Sequence, residues 1–183
     1  MNWPIFGILA FVMLALERGL HPLLSVGDSV SPSFLLILLV YVGMFAPPIT
    51  AAWAAVTLGL LVDVTHALPL MPPVGLKPIL GPHALGYLVG AYVLIQLRGM
   101  IFRGSPITMA IVVFLVGLFV SLTAVVLLTL RGLIVEPIIA FSPGEDLVHR
   151  FLQLLYTSVM ALPVGYLLSK ATPLFAFVHA KSR

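Results

Sequence analysis

Residues 107–130 contain no charged side chain. An α-helix rises 1.5 Å per residue, so about 20 apolar residues cross the ~30 Å hydrocarbon core of a bilayer. A run of this length predicts a transmembrane helix, and shorter apolar runs recur along the chain. Lipid offers no partner to backbone N–H and C=O groups, so such runs must close their hydrogen bonds internally as helices. Charged residues make up 8% of the 183-residue chain and hydrophobic residues 61%, whereas soluble domains carry about 25% charged residues. No polar stretch is long enough for a separate soluble domain, which excludes an ATPase, kinase or nucleic-acid-binding module from these residues. The net charge of +3 comes from basic residues that sit mostly at the ends of apolar runs, where membrane orientation accounts for them. Cysteine is absent, so there is no disulfide framework, thiolate nucleophile or thiolate metal site.

The pattern predicts an all-α transmembrane domain, a compact bundle of about six helices over residues 4–24, 33–46, 49–65, 83–97, 106–130 and 149–169. The first run begins at Trp3, an interfacial anchor, and lacks the basic start of a signal peptide, so it reads as a retained span. Gly27, Asp28 and Pro32 form a breaker cluster after it, and Pro47-Pro48 ends the second run. Residues 69–82, PLMPPVGLKPILGP, are too rich in proline and glycine for a regular helix. Pro106 suits a helix start, and Pro163 interrupts the last run. The second to fourth runs are short for spans, which calls for helix extension by flanking polar residues or for local bilayer thinning. Arg98, Arg103, Lys170, Lys181 and Arg183 fall on one side. Arg18, Lys77, Arg131 and Arg150 fall on the other, mixed with Glu17, Glu136, Glu145 and Asp146. The unmixed basic side is the cytoplasmic one by the positive-inside rule, which puts both termini in the cytoplasm.

With so few charges, each polar residue near the apolar runs needs an explanation. Asp63 follows Gly59-Leu60-Leu61-Val62 at the end of the third run. It either bonds backbone N–H groups of the loop after it, serves a partner or a conformational change, or couples to a proton or ion. Glu17 and Arg18 either anchor the first span at the interface or pair with another span, Arg18 with Asp63 being one geometry. His66 and His83 flank the proline-rich loop, as interfacial histidines or as members of one site with Asp63. No metal-ligand spacing such as HExxH occurs, and neither a metal nor a cofactor is implied. Ser121 and Ser158 are the sole candidates for an intramembrane serine, with no supporting Ser-His-Asp arrangement. Ala55 with Gly59, and Gly86 with Gly90, present small residues four apart. Such faces let helices approach closely, either the third against the fourth or one of them against a helix of another protein.

The order within residues 33–97 resembles MreD, the rod shape-determining membrane protein of bacteria. The resemblance lies in Gly59-Leu60-Leu61-Val62-Asp63 closing the third run, Gly75-Leu76 in the loop, and Gly86-Tyr87-Leu88 in the fourth. The long proline-rich loop departs from the family's shorter connection. The resemblance implies a bacterial cytoplasmic-membrane protein, without catalysis of its own. Its partners would be the single-span scaffold MreC and other membrane proteins of the elongation machinery. It further implies a fold similar to the substrate-binding membrane component of vitamin transporters. Under it, Gly59, Asp63, Gly75, Gly86, Tyr87 and Gly90 are partner-binding or structural candidates, beside a polar cluster of Glu17, Arg18, His66 and His83. The competing reading is the substrate-binding membrane subunit of a small-molecule transporter, with Asp63, His66, His83 and Trp53 as cavity material. An ion-coupled transporter ranks below both, since ionisable residues are scarce and no half-chain repeat is evident.

Overall fold

The computed structural model describes residues 1–25, 30–65, 67–69, 76–78, 80–99, 105–134 and 143–171. Among these residues are seven helices and a pair of very short strands. They are α1 (Trp3–Gly19), α2 (His21–Leu24), α3 (Phe34–Phe45), α4 (Pro48–Thr65), β1 (Ala67–Pro69), β2 (Leu76–Pro78), α5 (Pro82–Leu97), α6 (Pro106–Ile134) and α7 (Pro143–Ala171). Proline opens α4, α5, α6 and α7, because the first helical residue has no intrahelical use for an N–H and proline's fixed φ already suits the helix.

Two expected spans, the first and the last, differ in the structure. The expected first span divides, α1 ending at Gly19 and α2 forming a separate turn from His21. Pro22 lacks an N–H and its ring collides with the carbonyl four residues back, so α1 cannot run through it. Pro163, by contrast, lies inside an unbroken α7; the turns on either side carry the helix past one missing hydrogen bond. Helices α6 and α7 have 29 residues each, longer than the expected 106–130 and 149–169. Each is therefore about 43 Å long, well beyond a ~30 Å hydrocarbon layer.

The loop after α4 holds the one element that periodicity did not suggest. Strands β1 and β2 pair antiparallel, Ala67 opposite Pro78, Leu68 opposite Lys77 and Pro69 opposite Leu76. The prolines stand at the ends of this ladder, where a missing donor is tolerated. His66 and Gly75 lie outside the described residues, as do residues 172–183.

Helix α3 occupies the centre. Every residue from Phe34 to Met44 is buried, and the helix packs against α1, α4, α5, α6 and α7. Its sequence, FLLILLVYVGMF, has no polar face, which is the signature of a helix covered on all sides. Around it α4, α5, α6 and α7 pack each on the next, and α1 rests on α3. The outward faces are apolar: Ile8 and Phe11 on α1, Ile49 and Trp53 on α4, Tyr92 on α5, Ile107 and Leu122 on α6, Val159 and Leu167 on α7. A surface this apolar suits hydrocarbon rather than water. Three helices are long and apolar enough to cross a membrane, over Pro48–Thr65, Ile107–Gly132 and Leu147–Lys170, while Phe34–Phe45 and Pro82–Leu97 are apolar but shorter.

Small residues set the closest helix approaches. A Cβ on Gly59 would stand 2.5 Å from the Ala84 Cα and 2.7 Å from the His83 carbonyl oxygen, so α4 and α5 touch backbone to backbone there. Gly86 and Gly90 were expected to face α4 or an outside helix. They face α6 instead: a Cβ on Gly86 would lie 2.8 Å from the Val120 carbonyl oxygen, and one on Gly90 2.6 Å from a Val120 methyl. With Gly86 set against Val120, α6 runs on about 15 Å past the start of α5.

Candidate functional site

Among the described residues, the Glu17 and Asp63 carboxylates and the buried Thr157 hydroxyl gather at one end of the bundle, where α1 and α4 finish and α3 and α5 begin. Gly59 lets the first turn of α5 come down on α4, and Asp63, one turn later on α4, then lies over the α5 N-terminus. The first N–H groups of a helix have no intrahelical partner. Asp63 receives them: the N–H groups of Gly81, His83 and Ala84 donate to its carboxylate at 2.8, 3.0 and 3.1 Å. Helix α5 needs this outside acceptor because its own N-cap is Gly81, at φ 122°, a conformation open to glycine and strained for other residues. Of the readings weighed for Asp63, bonding to backbone N–H groups comes nearest the geometry, but only Gly81 belongs to the loop, while His83 and Ala84 belong to the first turn of α5.

His83 extends the arrangement. Its Nδ1 lies 2.8 Å from Asp63 Oδ1, and its Nε2 lies 3.4 Å from a guanidinium nitrogen of Arg150 on α7. A carboxylate accepts and a guanidinium donates, so this polarity assigns the Nδ1–H tautomer. The anticipated Arg18–Asp63 pair does not form. Asp63 is filled by α5, and the Arg18 guanidinium donates to the Thr65 carbonyl oxygen at the end of α4.

Glu17 plays for α3 the part that Asp63 plays for α5. Its Oε2 accepts from the Leu35 N–H at 3.2 Å and from the Ser33 hydroxyl at 3.4 Å. The Ser33 N–H in turn donates to Thr157 Oγ1 at 3.0 Å, and that hydroxyl donates to the Gln153 carbonyl oxygen at 2.7 Å. Helix α3 is thus held at its start by α1 on one side and α7 on the other.

Between these two capped helix starts lies a cavity of about 360 Å³, lined on its polar side by Glu17, Arg18, His21, Ser33, His83 and Arg150, with Tyr87 and Thr157 deeper in. Ser121 also lines it, whereas the Ser158 hydroxyl is turned back to the Leu155 carbonyl of its own helix. Among the described residues, no three His, Asp or Glu side chains converge as a metal-binding set. Trp53, considered as cavity material, points outward at 61% exposure. Sequence reasoning treated Arg150 only as an outer charge and passed over Gln153 and Thr157. Their spacing of three and four residues marks one polar stripe along an otherwise apolar α7, and that was a legible signal.

The resemblance residues Gly59, Asp63, Gly86 and Tyr87 all fall on this α4–α5–α6 joint. Comparison with family models, with curated proteins and with solved structures finds no match to the chain.

Proposed function

We propose that the chain is a non-catalytic membrane subunit of the bacterial cell-elongation machinery, of the MreD kind. It binds a single-span, MreC-like scaffold and supports lateral peptidoglycan synthesis. The observation that carries this reading is the convergence of the resemblance residues on one joint. Gly59 permits the α4–α5 contact, Asp63 caps α5, Gly86 seats α5 on α6, and Tyr87 is buried beside them. Residues that build a joint serve the shape of a docking body, and in lipid such docking relies on packed surfaces and a few polar contacts. In this reading the protein is multi-pass in the inner membrane with both termini cytoplasmic. The capped end then faces outward, where the overhang of α6 and α7 meets the scaffold's external domain.

Depletion in the native bacterium is expected to abolish regular cell shape. Affinity capture from crosslinked membranes is expected to recover a single-span protein with an extracytoplasmic domain. Cells that keep their shape and width without the protein would end this reading. The polar cavity favours a second one, the substrate-binding membrane subunit of a small-molecule transporter. Its signature would be a metabolite released from the purified protein on heating and identified by mass spectrometry.

A further inference from the structure

We propose that the cavity is a water-filled vestibule, reaching from the capped end to about the middle of the hydrocarbon layer and admitting small water-soluble molecules. Three observations carry this: how its lining residues are exposed, what lies behind its wall, and one amide without a partner. The lining grades from open to closed. Arg18, His21 and His149 are exposed, whereas Tyr87 and Thr157 are 3% and 0% exposed. The mouth is therefore at the end of the bundle, and the floor lies inside it. Depth follows from α7, whose apolar span starts at Leu147. Thr157 stands ten residues further, about 15 Å along the helix. That is half of a ~30 Å hydrocarbon core.

The wall formed by α7 has two unlike faces. Gln153 and Thr157 line the cavity, while Leu152, Leu155 and Val159 of the same stretch are 46%, 43% and 59% exposed, on the surface that a bilayer would cover. Polar side chains at membrane depth face protein or line water. Thr157 is satisfied by protein, accepting from the Ser33 N–H and donating to the Gln153 carbonyl oxygen. The half-buried Gln153 side chain is not: among the described residues its amide has no hydrogen-bond partner. A primary amide carries two N–H donors and an acceptor oxygen, and holding it dry is costly. Water meets that demand, and a lipid chain meets none of it. At ~30 Å³ per molecule, a cavity of about 360 Å³ holds about a dozen waters.

The chain has no cysteine, so single-cysteine variants report one position each. In lipid nanodiscs both faces meet solution, so the outcome depends neither on membrane orientation nor on the scaffold-binding reading. The probe is a charged, membrane-impermeant methanethiosulfonate, which attacks thiolates in contact with water. Gln153→Cys is expected to react at least tenfold faster than Leu152→Cys and Leu155→Cys, which flank it in depth but face lipid. Equal rates would overturn the proposal: slow at all three, the cavity is dry; fast at all three, this stretch of α7 is not in lipid. A second measurement needs no substitution. Hydroxyl radicals made by X-ray radiolysis of water oxidise the side chains that water touches. Tyr87, on the cavity, is expected to be oxidised at least tenfold faster than Tyr41, which is 1% exposed and packed in the apolar core. Tyr87 as resistant as Tyr41 would overturn the proposal even if Gln153→Cys disturbed folding.

Discussion

Replacing Asp63 by asparagine tests the centre of this structure, because at an ordinary helix start that change is nearly silent. Asn and Asp are comparable N-caps when a single side-chain oxygen is needed. Here both oxygens are in use: Oδ2 takes the N–H groups of Gly81 and Ala84, and Oδ1 takes the His83 N–H and its ring Nδ1. An asparagine supplies one oxygen, so its NH₂ must face two donors whichever way the amide turns. Turned toward His83, the imidazole can change tautomer and accept, but the backbone N–H of His83 is stranded. Turned the other way, both Gly81 and Ala84 lose their acceptor. The Asp63 side chain is fully buried, so water does not substitute. One buried, unsatisfied N–H costs about 1–3 kcal/mol, and hydrogen bonds to a charged acceptor are worth about 1.5–3 kcal/mol each. Asp63→Asn should therefore destabilise the bundle by about 2–5 kcal/mol. In a detergent melt this corresponds to a fall on the order of 10 °C in apparent Tm. A variant melting within about 1 °C of wild type would refute the four-donor account.

Glu17 gives the opposite pattern with the same chemistry. A single oxygen serves α3, so Glu17→Gln should cost under about 1 kcal/mol and Glu17→Ala about 1–2 kcal/mol, in the range of a lost cap. Equal losses in the two variants, measured by the same melt, would contradict this. Gly59→Ala places a methyl against the backbone of α5 and should cost about 1–3 kcal/mol by overpacking. Gly7→Ala meets open space and should be neutral or slightly stabilising through helix propensity, by up to about 1 kcal/mol. Similar melts for the two alanine variants would show that α4 and α5 are not in contact at Gly59.

Apolar runs and prolines make most of the helices legible in the amino-acid sequence, because lipid leaves a backbone few alternatives. What they do not reveal is who touches whom. Gly86 and Gly90 advertise a close helix contact, but their spacing is identical whether the neighbour is α4, α6 or another protein. The answer depends on the order in which α5 and α6 wrap around α3. The central place of α3 is readable in FLLILLVYVGMF, whose lack of a polar side suits burial better than a lipid-facing span. The split at Pro22 and the continuity at Pro163 show the converse difficulty. Proline fixes a local cost, and the packing of the surrounding turns decides whether the helix stops. Asp63 stands out by its isolation among apolar residues, while its partners are hidden because its four donors are backbone or ring groups of the next helix and its approach. Arg150, Gln153 and Thr157 are easily missed when a span is counted for charge rather than for faces.

The short helices and the buried carboxylates have a common cause. At 12 and 16 residues, α3 and α5 are about 18 and 24 Å long, less than the ~30 Å of a hydrocarbon layer. For α3, neither extension by polar flanks nor a thinner bilayer is required. Helix α3 is enclosed by protein and has no lipid thickness to match, and α5 is flanked on both sides by α4 and α6. A helix that begins inside the protein has N–H groups that reach neither water nor headgroups, and each such group left unpaired costs several kcal/mol. The chain meets that demand the same way twice. A carboxylate near the end of one long helix, Glu17 on α1 and Asp63 on α4, reaches across to the start of the next short one. Each acid then faces the positive end of a helix dipole, which favours its charged form.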